Sequence, residues 1–141
     1  MSGGEGDRAP DDTASEADAA YVFRVTVRLD PAESGVWTEP DTFETTVFRA
    51  ADPPGEPGWL YFRDNLWRGE CGDAAHMRAV AEDALGTAVD AVSFRELRTS
   101  QAYLDDLRAA VADDLATFNA ETVDEALTKY LGSSIHVTEE I

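Results

Sequence analysis

The stretch Tyr21–Asp30, YVFRVTVRLD, decides the fold. Large apolar side chains stand at every second position, and polar side chains occupy most of the positions between them. This alternation is typical of a β-strand with one buried face and one face exposed to solvent. The predicted apolar face carries Tyr21, Phe23, Val25, Val27 and Leu29, and the opposite face carries Arg24, Thr26 and Arg28. We therefore predict a half-buried strand around which a sheet is built.

The segments that follow this strand predict further strands and three helices. The predicted strands are 42–50, 59–62, 89–97 and 135–137, and the predicted helices are 74–85, 103–118 and 123–131. β-Branched and aromatic residues mark the strands, and apolar residues at helical spacing mark the helices. Asp73, Thr99 or Ser100, and Thr122 are the expected N-caps. For 59–62 a short helix running to Trp67 is the alternative.

This order of elements predicts an α+β fold, with an antiparallel sheet of about four to five strands and two to three helices packed on one face. Residues 1–18 contain mainly Gly, Asp, Glu, Ser, Ala and Pro. Such a composition offers little apolar surface to bury, so we predict a disordered acidic N-terminal tail. The remaining chain, 19–141, is predicted to form a single domain. Removal of the tail is expected to leave the melting temperature of that domain almost unchanged.

The charge balance is the strongest compositional signal. The chain has 29 Asp and Glu residues against 11 Lys and Arg residues, a net charge of -18, and Lys129 is the only lysine. At about 1 M salt the screening length is only about 3 Å, so repulsion between acidic groups is largely removed. We therefore predict adaptation to molar salt, with structure that forms as KCl is added; an ordinary acidic protein or an acidic interaction module is the alternative.

The same composition bears on location and partners. Cys71 is the only cysteine, which excludes an intrachain disulfide. The sequence contains neither an apolar run of about 20 residues nor an apolar segment of the kind found in secretory signals. Nucleic acids and anionic lipids bind basic surfaces. We therefore expect a soluble cytoplasmic protein that binds neither membranes nor nucleic acid.

One cluster has residue types that bind ligands. Its members are Arg63, Asp64, Asn65, Trp67, Arg68 and Glu70. Arginine binds carboxylate or phosphate in a bidentate manner, and indole offers a flat stacking surface, so the cluster could hold an anionic or aromatic small molecule. The structural interpretation is a set of ion pairs that fixes a turn, with Trp67 buried in the core. On that interpretation Trp67→Ala costs roughly 3–5 kcal/mol.

Three other sets of residues are weaker candidates for a functional site. Arg24 and Arg28 lie on the outer face of the first strand, where they could meet an acidic partner, including a second copy, or pair with Glu44 across the sheet. Cys71 and His76 are the residue types of a nucleophile and its base, but no third orienting residue is identifiable. The spacing of the histidines and carboxylates matches no known zinc or calcium motif.

Three segments resemble one known family. They are Phe62–Glu70 (FRDNLWRGE), Ser93–Arg98 (SFRELR) and Lys129–Val137 (KYLGSSIHV). Together they resemble the haloarchaeal LWR-salt proteins, whose name comes from the motif found here as Leu66-Trp67-Arg68, over about residues 20–138. The resemblance implies salt adaptation and this fold, and it assigns neither an activity nor catalytic residues.

Two functional hypotheses follow. The first is a non-enzymatic binding or protein-interaction module that recognises an unknown protein partner or a second copy of itself. The second is an enzyme that binds a small molecule or anion through the cluster from Arg63 to Glu70. We predict no catalytic residue, no cofactor and no metal. A cavity lined by Arg63, Trp67 and Arg68 together would favour the enzyme.

Overall fold

The computed structural model describes residues 18–138. The strands are β1 (Ala19–Arg28), β2 (Thr42–Ala50), β3 (Leu66–Trp67), β4 (Glu70–Cys71), β5 (Val89–Thr99) and β6 (Ile135–Val137). The helices are α1 (Tyr61–Asn65), α2 (Ala74–Leu85), α3 (Gln101–Ala112) and α4 (Val123–Leu131), with a 3₁₀ helix at Leu115–Phe118. Nearly all of the predicted tail lies outside the described residues, so the predictions of disorder and of dispensability remain predictions.

Four strands form the main sheet in the order β2-β1-β5-β6. β1 pairs antiparallel with both β2 and β5, whereas β6 pairs parallel with β5. β3 and β4 form a separate two-stranded hairpin. The predicted α+β fold with a mostly antiparallel sheet is confirmed.

The helices cover one face of this sheet. Tyr21, Phe23, Val25 and Val27 are all buried, as the alternation in β1 predicts. They share one core cluster with side chains of α2, α3 and α4 and of the 3₁₀ helix, among them Met77, Leu107, Val111, Phe118, Leu127 and Leu131. Among residues 18–138, no helix is both long enough and apolar enough to cross a membrane.

The other face of the sheet, which we call the open face, lies outside this core cluster. On this face Val22 of β1 lies between Phe48 of β2 and Glu96 of β5. Arg24 of β1 likewise lies between Thr46 of β2 and Ser93 of β5. Val22 is nevertheless buried. The Arg98 guanidinium carbon lies 5.3 Å from the centre of the Phe48 ring. These two side chains therefore pack against each other on the open face.

The prediction of a strand at 59–62 is wrong. The chain turns there and forms α1, and the strand follows at Leu66–Trp67. Phe62 is buried because it stacks on Phe118, with ring centres 5.7 Å apart. A run of four apolar residues does not distinguish a strand from a helix by periodicity, and contacts with distant aromatic rings decide the outcome.

The helix predicted over 103–118 is shorter than expected. α3 ends at Ala112, and a separate 3₁₀ turn carries Phe118. Asp113 and Asp114 lie at the junction, where two carboxylates next to the negative end of a helix disfavour its continuation. The Asp114 carboxylate instead accepts a hydrogen bond of 2.6 Å from the Thr117 hydroxyl.

The predicted helix caps are confirmed. Asp73, Ser100 and Thr122 each accept a hydrogen bond from the backbone N–H three residues later, at 3.0–3.1 Å. Ser100, not Thr99, is the cap of α3. Gly86 and Gly132 follow the last residues of α2 and α4 with positive φ angles, which is typical of glycines that end helices.

Candidate functional site

The Leu-Trp-Arg segment forms a tight hairpin. Leu66 pairs with Cys71 and Trp67 with Glu70, which leaves Arg68 and Gly69 as a two-residue loop. Both loop residues have positive φ angles, 55° and 81°. Two-residue hairpin loops favour this conformation because its twist matches that of the flanking strands. The loop therefore needs a glycine next to Arg68, and Gly69 provides it.

This hairpin caps the carboxyl end of α4. The backbone N–H of Arg68 donates to the Lys129 carbonyl at 2.8 Å, and that of Gly69 donates to the Tyr130 carbonyl at 3.0 Å. The last four carbonyls of a helix have no partner within the helix. In α4 the other two bond to residues just after the helix, Thr128 to Gly132 and Leu131 to Ser134. The hairpin thus completes the hydrogen bonding of this helix end.

Two glycines allow the close approach. A Cβ atom on Gly132 would lie 3.1 Å from the Arg68 carbonyl oxygen, and one on Gly69 would lie 3.1 Å from the Leu131 carbonyl oxygen. Gly132 also has φ 63° and ψ −138°, a conformation that side chains with a Cβ strongly disfavour. The loop at Arg68 and Gly69 and the chain at Gly132 therefore pack directly against each other through their backbones.

An aromatic chain runs from the core to this surface. Phe118 stacks on Phe62, Phe62 meets Tyr130 at 6.1 Å, and Tyr130 meets Trp67 at 5.8 Å between ring centres. The guanidinium carbon of Arg68 then lies 5.6 Å from the Trp67 ring centre. Each step is an aromatic or cation–π contact, so the indole is held from its buried side by rings that the core holds in place.

The prediction that Trp67 fills the core is wrong. Its side chain is 45% exposed, and it is Phe62 that is buried against Tyr130 of α4, with ring centres 6.1 Å apart. The strand β3 has only two residues, and successive side chains of a strand point to opposite sides. Leu66 is the buried one, so Trp67 faces outward.

A shallow depression of about 470 Å³ lies beside the exposed indole. It is lined by Trp67, Arg68, Glu125, Thr128, Lys129 and Gly132, which we call the Trp67 surface. Among residues 18–138 Arg68 has no carboxylate within ion-pair distance. The ammonium group of Lys129 instead donates to the Phe118 and Asn119 carbonyls, both at 3.0 Å. Arg68 is thus the cation of this surface that a partner can reach.

The remaining members of the predicted cluster do not converge on this surface. Arg63 pairs with its neighbour Asp64 at 2.9 Å. The Asn65 amide donates to the Tyr61 carbonyl at 3.0 Å, and Glu70 is exposed on β4. The cluster therefore splits into a structural part around α1 and an exposed part at the hairpin.

The two arginines of the first strand both have acidic neighbours. Arg24 lies 3.8 Å from the Glu44 carboxylate, across the β1–β2 pair as predicted. Arg28 contacts Asp90 through two nitrogens, at 2.6 and 3.0 Å, and this hydrogen bond raises the pKa of Arg28. Both pairs are more than a quarter exposed, so they stabilise the fold only weakly. The pairing alternative is observed, and the interaction alternative stays a prediction.

Cys71 has the environment of a packed thiol. Its Sγ atom lies 3.8 Å from the Val92 carbonyl oxygen, and burial raises the pKa of the thiol. A raised pKa lowers the thiolate fraction that a nucleophile needs. His76 is exposed in the first turn of α2, and its backbone N–H donates to Asp73. Across residues 18–138, no group of three or more His, Cys, Asp or Glu side chains is arranged to hold a metal ion.

Sequence reasoning missed the importance of Lys129, Tyr130 and Gly132. Lys129 was notable as the only lysine, and a glycine after a helix is an ordinary helix stop. Neither signal shows that these residues meet Trp67 and Arg68, which lie about sixty positions earlier in the chain. Only the close approach of α4 to the hairpin reveals that relation.

The three motif segments meet in space. The hairpin contacts the end of α4, and the Leu97 N–H of β5 donates to the Ser134 carbonyl at 2.8 Å, next to β6. No curated protein and no solved structure matches the chain. A model of the family described as LWR-salt protein matches residues 17–141, nearly the whole chain. The chain therefore belongs to the LWR-salt protein family.

Proposed function

We propose that this protein is a non-enzymatic protein-interaction domain that binds its partner at the Trp67 surface. The observation that carries the proposal is the exposed Trp67 indole with the guanidinium of Arg68 stacked on it. Tryptophan and arginine are the residue types most enriched among the residues that dominate binding energy in protein interfaces. Because the Trp67 indole already packs against Tyr130, it loses little conformational freedom when a partner binds, and this favours affinity.

The chemistry of the surface defines the partner. Arg68 has no carboxylate within ion-pair distance among the described residues, and Lys129 is bonded to backbone carbonyls. The surface therefore suits a protein segment with a carboxylate next to an apolar side chain that enters the depression. The enzyme alternative has less support, because the depression beside Trp67 and Arg68 is not lined by Arg63.

We further propose that the protein works in the cytoplasm at molar salt. The net charge of -18 supports adaptation to salt. Repulsion between the acidic groups destabilises the fold in dilute buffer and weakens when salt shortens the screening length. Circular dichroism in KCl from about 0.1 to 3 M tests it, with a melting temperature that rises with salt as the expected result. An equal melting temperature at both ends of the range would refute salt adaptation.

Binding is tested by comparing variants as bait. Immobilised wild-type protein, Trp67→Ala, Arg68→Ala and Trp37→Ala are incubated at high salt with proteins of the source organism, and each captured protein is purified and titrated. Trp37 is a matched control because it is also exposed, by 73%, and lies in the loop between β1 and β2. We expect Trp67→Ala and Arg68→Ala to weaken binding at least about tenfold, as for a central interface residue, and Trp37→Ala to bind normally. Equal binding by all four would refute the proposal.

A further inference from the structure

The two edges of the main sheet differ sharply. The β6 edge has three residues, whereas the β2 edge has nine and pairs with β1 without a break in register. Natural proteins protect long edges with lysine, proline, bulges or covering segments, since free backbone groups invite pairing with another strand. The β2 sequence TFETTVFRA contains no lysine and no proline, and its two charges, Glu44 and Arg49, cancel.

Backbone hydrogen bonds identify the groups at the free edge. Leu29 N–H donates to the Asp41 carbonyl at 2.7 Å, and Ala51 N–H donates to the Ala19 carbonyl at 2.9 Å. Odd-numbered residues of this segment therefore direct their N–H and C=O groups toward β1. Alternate residues of a strand point these groups to opposite sides. The groups directed outward are those of Thr42, Glu44, Thr46, Phe48 and Ala50.

Side chains of β2 are exposed on both sides of the sheet. Phe43 is 48% exposed and Phe48 is 53% exposed, on opposite faces of the strand. Arg49 lies over the ring of Tyr61, at 4.4 Å, on the same face as Phe43. This strand thus carries exposed apolar rings next to a cation in a chain that is otherwise strongly acidic.

We propose that β2 pairs antiparallel with β2 of a second copy of this chain, about a two-fold axis at Thr46, so that two four-stranded sheets become one continuous sheet. Thr46 is the central residue of Thr42–Ala50. In this register every outward-directed backbone group finds a partner. A shift by two residues in either direction leaves one end residue unpaired. The proposal uses a different surface from the Trp67 surface and does not depend on it.

Side-chain complementarity favours a second copy as the occupant. In this register Phe43 faces Arg49 of the second copy, which places that guanidinium between Tyr61 and the incoming Phe43 ring. On the open face Glu44 faces Phe48 of the second copy. The ring of Phe48 carries Arg98, whose guanidinium already pairs with Glu96 at 2.9 Å, so the Glu44 carboxylate approaches this guanidinium as a second acid. Both contacts occur twice, because the two-fold axis repeats them.

Sedimentation velocity of the full chain in about 2 M KCl, where charge repulsion is screened, tests the proposal. Wild type and Thr46→Val are expected to sediment as dimers, and Thr46→Pro as a monomer. Proline removes an N–H that points to the free edge, so pairing with β1 is kept, and circular dichroism checks that the variant folds. A monomeric wild type at all concentrations, or a Thr46→Pro variant that is still dimeric, would overturn the proposal.

Disulfide trapping tests the register independently. In a Cys71→Ala background, oxidised glutathione accepts the two electrons and two protons released when two thiols join. Thr46→Cys places its two copies about 5.5 Å apart between Cα atoms, within disulfide range. Thr42→Cys is the matched control, since its copies lie about 26 Å apart. We expect rapid cross-linking of Thr46→Cys alone. Equal rates for the two variants would overturn the two-fold axis at Thr46.

Discussion

The two hairpins of this protein are stabilised in different ways. The β1–β2 hairpin has nine paired positions, and its buried residues pack directly into the core. The β3–β4 hairpin has two paired positions, and its loop is bonded to the end of α4. A hairpin of that length does not persist alone in water. The long hairpin is thus stabilised by its own ladder and core contacts, whereas the short one depends on a helix about sixty residues away.

The difference shows where a functional surface can arise. The long hairpin buries its apolar residues of β1 in the core, and its loop carries the exposed indole of Trp37, whose N–H donates to the Glu39 carboxylate at 3.4 Å. The short hairpin buries only Leu66 and presents Trp67 and Arg68 on a support made by Tyr130 and the helix end. An exposed aromatic residue on a rigid support is the better binding element, because less conformational freedom is lost when a partner binds.

The largest expected effect is at the contact between the short hairpin and α4. Gly132→Ala is expected to lower the free energy of unfolding by about 3 kcal/mol, because the new Cβ would lie only 3.1 Å from the Arg68 carbonyl oxygen in a backbone conformation that alanine disfavours. Gly35→Ala, in the loop of the long hairpin, is the control. Gly35 also has a positive φ but open space around it, so about 1 kcal/mol is expected.

Urea denaturation in high KCl measures both glycine variants. Equal losses would mean that the hairpin and the helix can separate freely. The β3–β4 hairpin would then not depend on its contact with α4.

The next effect concerns the residue that holds α4 against the 3₁₀ helix. Lys129→Met removes two hydrogen bonds from a charged donor to the Phe118 and Asn119 carbonyls, and a loss of about 2 kcal/mol is expected. Arg78→Met removes the same charge from α2 and is expected to change stability by less than about 0.5 kcal/mol. The same urea titration distinguishes them. If Arg78→Met destabilised as much, the loss would reflect charge and not the bonds of Lys129.

A smaller effect is expected at the exposed indole itself. Trp67→Ala removes the ring contact with Tyr130, and a loss of about 1 kcal/mol is expected instead of the loss that a buried tryptophan would give. Trp37→Ala, in the long hairpin, should change stability by less than about 0.5 kcal/mol. A loss above about 3 kcal/mol for Trp67→Ala would indicate that the indole is part of the core.

The smallest effect is expected at the end of β1. Arg28→Ala removes the exposed ion pair with Asp90, and the loss in unfolding free energy should be smaller than that of Trp67→Ala. Salt screens such a pair, so the difference from wild type should vanish at about 3 M KCl. Urea titrations at low and high KCl measure it. A loss that persists at high salt would contradict a purely electrostatic contribution.

Much of the long hairpin and of the helices could be predicted from local patterns. The alternation in β1, the caps at Asp73 and Thr122, and the apolar spacing in α2 and α4 all correspond to elements in the structure. Local propensity sufficed there because each element buries one regular face. Between Trp59 and Cys71 the strand predicted at 59–62 was wrong and the β3–β4 hairpin was not predicted, because these elements are too short for periodicity and their form depends on contacts with Phe118 and α4.

The sequence by itself determined the acidic character, the α+β fold and the motif whose residues lie at the Trp67 surface. Only the tertiary structure decided that Trp67 is exposed, that Lys129 is bonded to carbonyls and that Arg68 has no carboxylate within ion-pair distance among residues 18–138. The physical reason is that sequence patterns report the structure of short segments, whereas these contacts join residues far apart in the chain. The exposure and the bonding of these three side chains depend on which carbonyls, carboxylates and rings the fold places next to them.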